Sequence, residues 1–376
     1  AAAFEQMQTR TRNTPRIRIV GQSGDDPAVI RRHREDALFA RVNGGAPEEH
    51  ARQYMGDTLR DHARALLEAT GISTRGMDAD TVFTRAMHTA SDFPQLLTGV
   101  GNRVLMPAYQ AAQSPLKSLA RQSTINDFRT KTMLKLSDVG MLEKVSESGE
   151  IKSTTRGEAA ESYGLETYAT LFGLSRKAFL NDDLGAMRDW AATAGRMAAE
   201  TEANLLVKLL LSNPTMGEDN KKLFHVDHGN LNTAVFDPDT AISDLSDARK
   251  GMRKMKALDG KTPINATPRY LVVGPELETD AERWLSTIYA TTLADVNAFS
   301  GKLTLVVEPR ITDDRWYIFA DPAILPVLEY AYLSSAQGPQ MASREGWDVL
   351  GMEFRVVLDF GAGAIDWRGA YAKVPA

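Results

Sequence analysis

His225 and His228, within Phe224-His225-Val226-Asp227-His228-Gly229-Asn230, are the only clustered imidazoles in the chain. Zinc ligation by paired histidines on one helix would need the His-Glu-x-x-His spacing, and no helix is implied around Asp227-His228-Gly229. A hydrogen-bonded loop is the expectation there. A serine nucleophile would need a strained Gly-x-Ser-x-Gly elbow, which the sequence lacks. Gly361-Ala362-Gly363-Ala364 resembles half of a dinucleotide fingerprint, but no crossover unit follows it, so it reads as a turn. The full phosphate-loop pattern Gly-x-x-x-x-Gly-Lys-Ser/Thr is absent. The carboxylate pairs Asp25-Asp26, Asp182-Asp183 and Asp313-Asp314 stand where helix caps and turns explain them. Nothing assembles into a reaction, and the expectation is a non-enzymatic chain with no catalytic residue, metal or cofactor.

Composition narrows the classes further. A chain of 376 residues exceeds one simple core, so two compact domains with extensions are expected. Its 43% hydrophobic and 25% charged residues describe an ordinary globular protein. No apolar run reaches the roughly 20 residues of a membrane span. Ala1 to Arg12 carry no basic-then-apolar signal pattern. Ala1 is not an initiator methionine, so it marks either an arbitrary boundary of the sequence or a cleavage immediately before Ala1. Cysteine is absent, which removes disulfides, Cys-ligated metals and thiol nucleophiles together. A formal charge of −5 argues against a generic nucleic-acid coat, without excluding one face turned toward nucleic acid.

Lysine is absent before Lys117, whereas eleven arginines, Arg16, Arg18, Arg31 and Arg32 among them, crowd the first seventy residues. Guanidinium suits bidentate, partly dehydrated contacts. Codon usage in a GC-rich genome explains the same bias, and both readings stand.

The elements that would position any site follow from periodicity. Residues 1–43 read as extended and irregular. A helix is predicted over 46–69, with Tyr54, Met55, Leu59, Ala63 and Leu66 as one apolar stripe, and a second over 92–111. Thr130 to Leu136 alternates with period two, and Leu165 to Phe172 does so again after the polar tip Ser146-Glu147-Ser148-Gly149-Glu150. The pair reads as one long β-hairpin with arms of roughly 35–50 Å. An isolated two-stranded ribbon is marginal in water, so it must lie on its own body or on a neighbour. A long helix over 183–212 follows, about 45 Å in length, with Leu184, Met187, Trp190, Ala194, Met197, Thr201, Leu205 and Leu209 inside. Beyond it come a helix at 240–257 capped by Asp239 with Ile242 inside, a strand at 269–273, a helix at 276–289, and strands at 303–308 and 316–319. The strands of 347–372, broken at Gly361-Ala362-Gly363, would complete a sheet beside the long helix. The fold class is α+β.

Several segments, in order, resemble a known family: Ser91-Asp92-Phe93-Pro94, Gly140 to Gly149, Leu174-Ser175-Arg176-Lys177-Ala178-Phe179-Leu180-Asn181-Asp182-Asp183-Leu184, Leu223 to Leu231, and Leu358 to Gly369. Together they resemble major capsid proteins of tailed phages and prophages, particularly those fused with or encoded beside a prohead protease, and Mu-like head subunits. The resemblance runs from about residue 88 to the end. It implies the Hong Kong 97-like coat fold, with 1–90 as an N-terminal arm carrying a docking helix and 91–124 as a helix leading into the peripheral domain. Residues 125–175 would be the extended loop, 176–234 the peripheral domain with its spine helix, 235–335 the axial domain, and 336–376 strands returning to the peripheral domain. It further implies assembly with itself as pentamers and hexamers around packaged double-stranded DNA in the virion capsid, built in the bacterial cytoplasm. A decoration protein, a portal and a prohead protease would be partners, with no membrane involved. Hairpin-tip residues Glu147, Gly149, Glu150, Lys152 and Arg156 would touch neighbours, as would Arg16, Arg18, Arg31 and Arg32 of the arm. Lys152 sits where some relatives crosslink, but no matching partner motif accompanies it. The alternatives are an encapsulin-type nanocompartment shell of the same fold, and a hydrolase with an unfamiliar arrangement of catalytic groups.

Overall fold

The computed structural model describes residues 26–88, 92–136, 158–235, 237, 240–258, 260–285, 302–345 and 351–375. The chain divides into two compact units. One comprises residues up to 103 with 173–188 and 343–353; the other comprises 104–172, 189–342 and 354–376.

The first unit is largely helical, and here the sequence reading needs correction. Residues 27–43 are not extended but form helix α1 (Pro27–Asn43), with Asp26 accepting from Ala28 N at its start and Gly44 closing it at φ 71°. Its buried side chains, Ala37, Leu38, Ala40 and Val42, lie only in its second half, so arginines hide the apolar period. The helix predicted over 46–69 is two pieces: a 3-10 turn, Glu49–Tyr54, and α2 (Leu59–Ala69). Thr58 and Asp61 form a reciprocal capping box that starts α2 afresh. Helix α3 (Ala79–His88) has no counterpart in the sequence reading; α4 (Asp92–Ala111) lies where it was predicted.

A mixed five-stranded sheet contains β1 (Ala120–Ile125), β9 (Leu328–Leu333), β11 (Gly351–Ala364) and β10 (Gln340–Glu345) in that order, with β4 (Glu166–Ser175) paired to β11. The hairpin is β2 (Lys131–Leu136) against β3 (Glu158–Tyr163), antiparallel, from Lys131 opposite Tyr163 to Leu136 opposite Glu158. The predicted returning strand at 165–172 is instead β4, which follows β3 after Gly164 and Leu165 and pairs with β11 in the large sheet rather than with β2. Gly361 and Gly363 lie inside β11 and do not break it.

A short helix, α5 (Arg176–Leu180), precedes the long helix α6 (Leu184–Ser212). The start of α6 is capped by Asp183, whose Oδ1 accepts from Ala186 N at 3.2 Å. The expected inner stripe holds through Met187 and Ala194 and then drifts: Ala198, Leu206 and Leu210 are buried, whereas Met197 is 55% exposed. Leu206, Val207 and Leu210 pack in one core with Tyr330, Tyr332, Leu358 and Phe360.

The second five-stranded sheet has the order β5 (Leu231–Asn232), β12 (Ala370–Lys373), β8 (Trp316–Ala320), β6 (Pro268–Val273), β7 (Thr304–Val307). Both its faces are covered. Val272, Tyr317 and Phe319 join the core of α6, while Leu271, Val273, Trp316 and Ile318 face Leu245, Ala248 and Met252 of α7 (Ala241–Lys254). A strand buried on both faces reads as a continuous apolar run, as Trp316–Ala320 does. Ile242 is 47% exposed, contrary to expectation, and Ala241 takes the inner position. The expected cap Asp239 lies outside the described residues; helix α8 is Glu278–Leu285, and 286–301 also lie outside. Of the C-terminal strands, β11 joins the core of α6, but β12 pairs with β5 and β8 in the second sheet.

Candidate functional site

The root of the β2–β3 ribbon is where sequence, burial and charge converge. Glu329 on β9 stands in the apolar run Val327-Leu328-Glu329-Tyr330-Ala331-Tyr332 and is fully buried. Desolvating a carboxylate costs several kcal/mol unless partners meet it. Three do: Lys131 Nζ at 2.7 Å, Tyr163 Oη at 2.6 Å, and Arg121 with Nε at 2.7 Å and Nη2 at 2.5 Å. Burial pushes the Glu329 carboxyl upward, but these donors outweigh it and hold it below its ordinary value. Burial and the neighbouring Glu329 push the Tyr163 hydroxyl up, so it remains a donor. Lys131 opens β2 and Tyr163 closes β3 on opposite strands, so one carboxylate pins both legs of the ribbon.

The floor under that root is made of missing side chains. A β-carbon on Gly361 would lie 2.1 Å from Gly164 O, and one on Gly363 would lie 2.7 Å from Tyr163 Cδ1. The segment that looked like a dinucleotide fingerprint is therefore a seat for the ribbon. On β3 the buried Glu161 accepts from Gly217 N at 2.8 Å and Glu218 N at 3.1 Å, joining the ribbon to the loop that follows α6.

A second convergence explains two of the sequence segments. Asn230 is fully buried; its Oδ1 accepts from His225 N at 2.9 Å, and its Nδ2 donates to Leu223 O at 2.9 Å and Trp367 O at 3.2 Å. The His228 ring lies nearly parallel to Trp367 with centroids 4.1 Å apart, and its Nε2 is 2.7 Å from Asp219. Arg368 lies 4.4 Å from the Trp367 ring and donates to Glu218 at 3.0 Å and Asp366 at 3.1 Å. The two histidines thus form the hydrogen-bonded loop their spacing suggested. A third buried carboxylate, Glu202 on α6, takes Tyr109 Oη, Tyr332 Oη and Lys117 Nζ at 2.7, 2.8 and 2.7 Å.

Of the other residues singled out from the sequence, Arg16, Arg18, Glu147, Gly149, Glu150, Lys152 and Arg156 lie outside the described residues. Arg31 and Arg32 are on α1, not on an extended arm, and Arg31 donates to Gln95 at 2.9 Å. They line a polar cavity of about 710 Å³ with His33, Asp36, His50 and Arg103. Among the described residues, Asp36, Glu48 and His50 are the one group close enough to share a metal ion. Asp36 is already engaged, with Arg103 at 2.6 Å and His50 at 2.8 Å. Sequence reasoning missed Glu329, Glu161, Glu202 and Tyr163. The available signal was a carboxylate inside an apolar or alanine-rich stretch, which demands a buried cation or hydroxyl.

Comparison with known proteins gives one family. A family model described as phage capsid protein matches residues 158–372, from the first residue of β3 into β12 and more than half the chain. No curated protein sequence matches. Among solved structures, the capsid of cyanophage P-SCSP1u superposes with a TM-score of 0.50 at 11% identity, covering 70% of this chain and 89% of that one. The virus-like particle of Pyrococcus furiosus gives 0.44 at 15% identity, with 75% and 100% covered. Mycobacterium phage Patience gives 0.44 at 13%, with 77% and 90% covered.

Proposed function

The chain belongs to the phage capsid protein family, and on that premise we propose that it is the major head subunit of a tailed phage, assembling with itself into an icosahedral shell around double-stranded DNA. The observation that carries this, beyond the family itself, is the rooted ribbon. Its base is fixed by a buried carboxylate and a glycine floor, yet among the described residues the ribbon proper has only two strands. A two-stranded ribbon is marginal alone. A rigid base supporting a marginal projection suits an element completed by a neighbouring subunit.

In this reading the β2–β3 ribbon is the body of the extended loop, and the expected range 125–175 overruns it by β4, which belongs to the large sheet. Residues 176–234 are the peripheral domain with α6 as spine, 235–335 the axial domain, and 91–124 the helix leading in. The C-terminal segment 336–376 serves both domains, since β11 supports α6 while β12 completes the sheet of β6 and β8. The role is structural and requires no catalytic group. No helix among the described residues is long and apolar enough to cross a membrane. Shells would assemble in the host cytoplasm and end as the virion capsid, with a prohead protease, a portal and a decoration protein as partners. Individually weak contacts suffice, because closed symmetry multiplies them.

Negative-stain electron microscopy of the purified chain tests the proposal. Closed shells, or pentamers and hexamers, are expected. A monomer that persists at high concentration would overturn it, and closed shells that natively enclose protein cargo instead of DNA would favour a nanocompartment.

A further inference from the structure

We infer that the helices of residues 27–88 are a permanent part of the subunit, and that any proteolytic shortening of its N-terminus stops before Asp26. This rests on the reading of the chain as a capsid subunit.

The reason lies in how the first unit is built. Phe179 of α5 is 1% exposed and lies 5.8 Å from Phe83 of α3 and 6.3 Å from Phe93 of α4, ring centre to ring centre. Phe83 and Phe93 are 6.0 Å apart and equally buried. Removing α3 would turn two large aromatic rings, Phe93 and Phe179, toward water. Exposed clusters of that kind cause aggregation unless something covers them.

The polar contacts run the same way. Asp182, in the left-handed region at φ 55°, stands between α5 and α6. Its Oδ1 accepts from Leu59 N at 2.8 Å, at the first residue of α2. Its Oδ2 receives Arg41 Nη2 of α1 at 2.5 Å. Asp80 of α3 pairs with Arg176 of α5. Each of the three N-terminal helices therefore ends one of its contacts on residues 176–182, immediately before the long helix. Loss of α1–α3 would leave Asp182 and Arg176 without these partners and expose the ring cluster.

Asp26 supplies the cap of α1 from its own side chain, accepting from Ala28 N at 2.9 Å, and Pro27 occupies the first helical turn, where no amide donor is needed. A cut before Asp26 leaves the cap, the helix and every contact named above intact.

The test uses the full chain with the recognition sequence of a site-specific protease introduced between Thr89 and Ala90. After digestion under native conditions, size-exclusion chromatography followed by denaturing mass spectrometry reads whether the N-terminal fragment stays with the remainder. Co-elution of the helical fragment with the rest of the chain is expected. Digestion of the F179A/D182A variant is expected to release most of it. Release from the unmutated chain, with the remainder still soluble, overturns the inference. The mature subunit's mass is a second arm: an N-terminus at or before Asp26 is expected, and one anywhere beyond Asp26 overturns it. The digestion can be scored on unassembled chain. Failure to form shells would therefore sink the proposed function and leave this result separately readable.

Discussion

Gly363 of β11 lies directly under the ring of Tyr163, so close that a β-carbon there would stand 2.7 Å from Tyr163 Cδ1 and 2.8 Å from its Cβ. The same tyrosine donates to Glu329, which sits opposite Gly363 in the β9–β11 register. A bare backbone position and a buried charge are thus two parts of one socket for the base of the ribbon.

Filling that socket should dislodge the ribbon. Gly363→Val forces Tyr163 off β11 and strains the Glu329 hydrogen bond, and overpacking of this kind costs about 1–3 kcal/mol. Denaturant unfolding should show a lower midpoint, and Tyr163→Ala in the same background should recover part of the loss. A double variant no better than Gly363→Val alone would mean that the glycine serves something other than the ring.

Glu329→Gln tests the charge. Lys131 and Arg121 would then face a neutral amide, a change worth roughly 3 kcal/mol, at the low end for a broken buried pair because both cations keep some contact with water. A carboxyl held below its ordinary value stabilises the fold above the unfolded-state pKa. That stability is lost as pH falls through the folded-state value. Acidification below about pH 4.5 should therefore destabilise the native chain more steeply than the variant. Parallel pH curves for the two proteins would remove Glu329 from the account.

His62, in the first unit, is a second acid-sensitive group, one whose neutral form the fold favours. It is fully buried on α2, its Nδ1 is 3.5 Å from Arg34 Nη1, and its Nε2 has no hydrogen-bond partner. Burial first, and then Arg34, push its pKa down to about 4; Arg41 adds to the effect, while Asp57 and Asp182 partly oppose it. A neutral folded imidazole stabilises fully above the unfolded-state pKa of about 6.5. That contribution, roughly 3 kcal/mol, should fade as pH falls from there toward about 4. Thermal midpoints at pH 7 and pH 5 should differ more for the native chain than for His62→Leu. An equal drop in both would contradict the assignment.

Much of the architecture was legible from local pattern. The α4 and α6 helices, the apolar run of β8 and the histidine loop follow from periodicity, caps and turn residues, which act within a few residues of chain. Locally ambiguous signals were misread. In α1 arginines mask the apolar period, and at Thr58 a capping box restarts a helix that the apolar stripe alone would have joined. Gly361 and Gly363 look like a turn, because a strand with missing side chains has the same composition as one.

By itself, the sequence determined the α+β class, the long helix, the absence of cysteine chemistry and the order of segments that places the chain in its family. Only the tertiary structure decided that β3 rather than β4 completes the ribbon, and that Glu329 holds both its legs. It also decided that Asp182 gathers the N-terminal helices. The reason is physical: periodicity reports which face of an element is apolar, but a buried charge or a bare glycine is defined by a partner that is distant in sequence. Glu329 lies 198 residues from Lys131 and 166 from Tyr163, and nothing local to any of the three specifies the others.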